Sequence, residues 1–154
     1  VIIKSNLEDI FKPHQVKFQH HLVSHPGGAY AFSFEKNNKR VVFCPDNEIN
    51  PDNINSPEIV NILKFFNNTD LLIHDSQYLN HEFPAKKGWG HTFLSTGLEA
   101  FSSINLKQLA LTHHDPIYSD QKLLENEIFA KEWLQEKNKN LKLQFLKEGQ
   151  TFDL

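Results

Sequence analysis

Residues 15–44 alternate short apolar, aromatic-rich runs with turn residues, the pattern of β-strands. Residues 15–24 predict a strand of imperfect alternation, ended by Pro26-Gly27-Gly28. Residues 29–35 resume as a strand that places Tyr30, Phe32 and Phe34 on one face. Asn37-Asn38-Lys39 is a hairpin-type turn, and residues 40–44 return, so these segments predict an antiparallel unit. Residues around Val1 also have strand character.

The period then changes. Ser56-Pro57-Glu58 is a helix start, with Ser as N-cap and Pro at the first helical position. Ile59, Ile62, Leu63 and Phe66 follow at helical spacing, and Asn67-Asn68 closes the segment. Leu71-Leu72-Ile73 is a continuous apolar run, expected of a strand covered on both faces. Residues 95–101 predict a second helix and residues 106–112 a strand. A long helix begins at Ser119-Asp120, with Leu123, Leu124, Ile128, Ala130 and Leu134 on its inner and flanking faces. Residues 141–146 read as a strand, and Gly149 turns the chain into a last strand over residues 151–154. A β-rich first third followed by alternating helices and strands predicts an α/β fold, with polar residues in the loops that follow the strands.

With 154 residues and 39 % apolar side chains, including 13 Phe, the chain can build one domain core. No segment approaches the ~20 apolar residues of a membrane span, and no leader peptide is visible. A single cysteine, Cys44, excludes an internal disulfide framework. It suits a reducing, cytoplasmic setting, and its place after Val41-Val42-Phe43 predicts a buried apolar role. A net charge of −3 with dispersed Lys and Arg argues against a duplex-binding surface.

Nine histidines are many for this length, and several stand where an apolar strand gives way to a loop. His25 precedes Pro26-Gly27-Gly28, which lets the backbone turn sharply and the imidazole project into a cleft. Asp46 follows the strand of residues 40–44, with Glu48 two residues later. His74 and Asp75 end the apolar run and point to opposite faces, so only one easily enters a given site. His91 lies in Gly88-Trp89-Gly90-His91-Thr92, where a glycine-flanked histidine suits general acid work or charge stabilisation. His113-His114-Asp115-Pro116 follows a strand, and adjacent histidines diverge, so one ligand is expected there. Asp115 is placed to orient a ligating histidine. Imidazoles and carboxylates at strand ends are the usual material of a divalent metal site.

These motifs, in this order, resemble the later motifs of metallo-β-lactamase-fold hydrolases, most closely the branch related to RNase Z and the phosphodiesterases. The resemblance runs from about Val16 to the C-terminus. It implies the C-terminal half of a four-layer αβ/βα sandwich, with residues 1–154 a single partial domain. His25, Asp46 and His113 would be metal ligands, Asp46 bridging two ions. His91 would be the non-ligand histidine facing the scissile phosphate. His74, Asp75, His114 and Asp115 would support the ligands from behind. The family's first metal motif, His-x-His-x-Asp-His, is absent from the chain and would lie upstream. A fragment or two-piece protein is the expectation, because a decayed site would have lost more of the later motifs.

The implied activity is that of a dinuclear phosphodiesterase, acting on a cyclic nucleotide, RNA or another phosphodiester. Two divalent ions are expected, zinc first, with manganese or iron as the other candidates. The expected partners are the substrate, the upstream half of the domain and a second copy in a homodimer, with no membrane. A catalytically inactive binding or regulatory domain is the alternative from another class. A thioester or lactone hydrolase is the alternative within the same fold.

Overall fold

The computed structural model of the chain describes residues 7–137 and 139–154. The strand character around Val1 lies outside the described residues. Six strands form one sheet in the order β1-β2-β3-β4-β5-β6. They are β1 Lys17–Val23, β2 Ala29–Lys36, β3 Lys39–Cys44, β4 Thr69–Asp75, β5 Leu106–Thr112 and β6 Lys142–Phe145. The helices are α1 Leu7–Phe11, α2 Pro57–Phe66, α3 Leu94–Phe101 and α4 Asp120–Glu136.

The first three strands pair antiparallel, as their turns predict. From β3 onward every pairing is parallel, because a helix carries the chain back between successive strands. Ser56 caps α2, its Oγ accepting the Ile59 N–H at 3.2 Å, and Ser119 caps α4 in the same way. Gln15 takes a left-handed φ of 55° before β1 begins. The strand expected over residues 151–154 does not form. Gly149 does turn the chain, at φ 76°, but this terminal stretch has no pairing partner among the described residues. Its largely exposed side chains gain too little burial to offset ordering it.

Strand alternation divides the sheet into two faces. Val42, Leu72, Leu109 and Leu143 stand side by side in register, with Cys44, His74, Leu111 and Phe145 in a parallel row. These rows pack with Ile59, Ile62 and Phe66 of α2, Leu94, Leu98 and Phe101 of α3, and Ala130 and Leu134 of α4. His74 stands in that core between Phe66 and Phe101. Burial pushes the Cys44 thiol pKa up, followed by the charges of Asp75 and Asp46, which suits the apolar role expected of it.

The opposite face is different. Phe11 and Phe18 pack near Phe32 and Phe34 at one edge. Further along, Leu22, Tyr30 and Phe43 are 58 %, 46 % and 39 % exposed. Among the described residues, no helix after α1 contributes to this face. The described helix core therefore covers one side of the sheet, and an apolar stripe remains on the other.

Candidate metal centre

Because β1, β3, β4 and β5 run the same way, their C-terminal ends meet at one edge of the sheet. The residues that leave those ends supply the site. His25 comes two positions after β1, Asp46 two after β3, Asp75 ends β4 and His113 follows β5. His91 arrives separately, on the loop before α3. His25, Asp46 and His91 each offer one ligand atom, all within 4.8 Å of one another. His113 adjoins Asp46, with Nδ1 3.1 Å from Asp46 Oδ1 and 2.8 Å from the Pro45 carbonyl. The His91 ring is 5.7 Å from that of His25 and 4.7 Å from that of His113.

A second layer of hydrogen bonds fixes these positions. The Glu48 N–H donates to the Ser24 carbonyl at 2.6 Å, and the Ser24 N–H donates to Asn47 Oδ1 at 3.0 Å. The His25 and Asp46 loops are thereby stitched together. Asn47 Nδ2 lies 3.1 Å from His74 Nε2. With Asn47 donating, the His74 proton sits on Nδ1, which donates to the Asp75 carbonyl at 2.8 Å. The Asp75 side chain is completely buried and faces His91, with Oδ2 2.9 Å from Nδ1. It also accepts the Thr92 N–H at 3.2 Å. Thr92 does not cap α3. Its hydroxyl donates to the Asn47 carbonyl at 2.6 Å, and Asn80 Oδ1 accepts the Ser95 N–H in the first turn instead.

Electrostatics follow from this layer. Burial acts to raise the Asp75 pKa, but hydrogen bonds from His74 and His91 outweigh it and hold the carboxylate below its usual range. Burial acts to lower the His91 pKa, but Asp75, and after it Asp46 and Glu48, hold it above the usual histidine range. With Nδ1–H committed to Asp75, Nε2 is the nitrogen left for chemistry.

Of the other residues singled out from sequence, His114 and Asp115 stand apart from the cluster. The His114 ring stacks on Phe145 at 4.4 Å, and burial lowers its pKa. Asp115 takes Lys86 at 2.7 Å and the Ile117 N–H at 3.1 Å, so its oxygens are occupied away from the histidines. Asn47 and Thr92 are site-building residues that sequence reasoning missed, and neither carries a local signal of its role. Glu48, noted only for its spacing, is buried and binds the amides of Gly88 and Gly90.

The donor set fits a divalent transition metal. Two imidazoles and a carboxylate converge in His25, His91 and Asp46, with the His113 imidazole adjoining Asp46. Nitrogen and oxygen donors of this kind suit zinc and also manganese or iron. Three of these donors lie within reach of a single ion, and even with His113 beside Asp46 the set does not complete the shells of two. His113 has a left-handed φ of 54°, a conformation costing about 1–2 kcal/mol for a residue with a Cβ. Glycine avoids that cost but loses about 0.5–1 kcal/mol in backbone entropy. His113→Gly is therefore expected to leave the unfolding free energy within about 1 kcal/mol of wild type, while weakening Zn²⁺ binding. Denaturant melts and calorimetric titration check the two halves of that expectation. A large stability loss would make the histidine a structural residue.

No family model matches the chain. It is 33 % identical over 87 residues to the ribonuclease Z of Pyrococcus furiosus, which covers 56 % of this chain and 25 % of that protein. Among solved structures, it is similar to the metallo-beta-lactamase fold protein YhfI from Bacillus subtilis. That match has a TM-score of 0.66 and 17 % identity, covering 90 % of this chain and 50 % of the other. Unliganded yeast PDE1 matches with a TM-score of 0.66 and 14 % identity, over 88 % of this chain and 45 % of the other. The chain thus has the metallo-β-lactamase fold, and its sequence is similar to the ribonuclease Z-like branch of that fold. It spans a quarter of the length of the curated relative and about half that of YhfI.

Proposed function

We propose that this chain carries the C-terminal half of a metal-dependent phosphodiesterase site. The observation that carries the proposal is the convergence of His25, Asp46 and His91 within 4.8 Å, with His113 beside Asp46. In this proposal His25, Asp46 and His113 hold metal. His91 faces the scissile phosphodiester. When bound, divalent metal supplies Lewis-acid stabilisation of the phosphoryl oxygens and a more acidic water. This chain's own contribution is to orient. Asp75 holds His91 by Nδ1, so that Nε2 can give a proton to the leaving oxygen or stabilise charge that develops there. The raised pKa of His91 favours the donor role.

The rest of the site is proposed to come from an upstream half of the same domain. Two features support this. The apolar stripe through Leu22, Tyr30 and Phe43 is a surface for a second sheet to cover. The donors described here also fall short of the shells of two ions. RNA or a smaller phosphodiester is the proposed substrate class, supported by the similarity to a ribonuclease Z.

Titration of the intact, metal-free protein with Zn²⁺, followed by calorimetry, tests the proposal. Stoichiometric binding is expected. Asp46→Ala should weaken it by more than the roughly 10–100-fold typical of residues that only support ligands. Binding that is indifferent to Asp46 would remove the metal centre. Binding without hydrolysis of any phosphodiester, in wild type as in His91→Ala, would favour a binding or regulatory domain instead.

A further inference from the structure

The loop that delivers His91 also carries Trp89, and the two residues are treated very differently. His91 is drawn inward by Asp75, whereas Trp89 is 58 % exposed. An exposed indole on a mobile loop would mean little. This loop is held. The Glu48 carboxylate accepts the Gly88 N–H through Oε1 and the Gly90 N–H through Oε2, both at 2.9 Å. Asn50 Nδ2 donates to the same Oε1 at 2.6 Å. Burying a carboxylate is costly unless its oxygens are satisfied, and these three N–H groups satisfy them. Gly88 and Gly90 take φ values of 82° and 91°, so both flanking peptides adopt turns that a side chain would resist.

The clamp therefore grips the backbone on both sides of one residue and leaves its side chain in solvent. The indole lies beside the site. Its ring is 6.2 Å from that of Tyr78, edge to face, and the Tyr78 ring is in turn 5.9 Å from that of His91. An exposed aromatic ring on an anchored backbone next to a phosphodiester site matches what a nucleobase requires, because every base has a π-face. Immobilising the platform in advance removes the entropy cost of ordering it on binding.

We propose that Trp89 is a stacking platform for a nucleobase adjoining the scissile phosphodiester, with Glu48 as the residue that positions it. This rests on the phosphodiesterase reading and narrows the substrate to nucleotides or RNA.

The test uses binding to the intact metal-loaded protein, with adenosine 5′-monophosphate and ribose 5-phosphate as probes. The first should bind more tightly than the second. Trp89→Ala should weaken the nucleotide about 5- to 150-fold, equivalent to the roughly 1–3 kcal/mol of one base–aromatic stack. It should leave ribose 5-phosphate and the melting temperature unchanged. Trp89→Phe should retain most of the affinity. Glu48→Gln has one acceptor oxygen for two amides, so it should lose part of the nucleotide preference and speed hydrogen exchange at Gly88 or Gly90.

Equal affinity for both probes in wild type, or no effect of Trp89→Ala on the nucleotide, would overturn the platform. A lower melting temperature with both affinities unchanged would also overturn it and make Trp89 a contact to another part of the protein. If neither probe binds and no phosphodiester is cleaved, the phosphodiesterase reading fails and the platform falls with it.

Discussion

Gly90→Ala is expected to weaken divalent-metal binding by roughly 10–100-fold, the loss that follows when a ligating histidine is no longer held in orientation. It should also lower stability by about 1–3 kcal/mol, as overpacking does. A Cβ at this position would stand 2.2 Å from His25 Cδ2, 2.7 Å from His25 Nε2 and 2.8 Å from Pro26 Cδ. Real Cβ atoms do not approach so closely, so something must move. The backbone cannot easily relax, because the Gly90 N–H is held by Glu48 and φ is 91°. The imidazole of His25 is the group that can yield, and yielding carries its nitrogens out of the cluster. Zn²⁺ titration and thermal denaturation of the two proteins measure both effects. Unchanged metal affinity with lowered stability would mean that His25 is not a ligand.

Asp75→Asn is expected to slow the proposed phosphodiester hydrolysis by about 10–100-fold, the loss typical when a hydrogen-bond partner that orients a site histidine is removed. Removing the proposed proton-transfer group itself by His91→Ala should cost about 10²–10⁴-fold. The first variant also has a readout that does not depend on turnover. In metal-free protein, His91 should titrate above the usual histidine range, chiefly because Asp75 outweighs its burial. Asparagine carries no charge, so NMR titration of the His91 ring should show its pKa falling in Asp75→Asn. The sign for stability follows. A folded-state histidine pKa above the unfolded value adds stability that is fully present below the unfolded pKa. That stability is lost as pH rises through the folded pKa. Asp75→Asn should therefore flatten stability against pH across the histidine range. A His91 pKa that does not move would break the Asp75–His91 link on which its proposed orientation depends.

Much of the fold is legible along the chain, for reasons that differ by element. Ser56-Pro57 and Ser119-Asp120 announce α2 and α4, because capping is a local interaction between a side chain and N–H groups two or three residues away. Asn37 and Asn38 announce the β2–β3 hairpin, since both adopt the left-handed φ values that asparagine tolerates, 52° and 60°. The strand over residues 151–154 fails because strand composition does not supply a partner. His25, Asp46, His91 and His113 can be singled out in advance, because each sits at a strand end or in a glycine loop.

What they do together was not legible. Sequence spacing leaves His74 and Asp75 interchangeable, and only the packing of α2 and α3 decides between them. His74 goes into the core between Phe66 and Phe101, and Asp75 goes to His91. His91 is expected from sequence as a non-ligand beside the scissile phosphate, and the fold brings its ligand atom within 4.8 Å of those of His25 and Asp46. Asn47, Thr92 and Glu48 carry no local signal of these roles, because each acts through a hydrogen bond to backbone far away in sequence. The sequence by itself determined which segments become strands and helices and which polar residues stand at their ends, because those choices rest on periodicity and on contacts within a few residues. The tertiary structure alone decided which of those residues meet, which stand apart as His114 and Asp115 do, and which loop is clamped. Such convergence depends on strand register and helix packing, and neither is written in the spacing of residues along one segment.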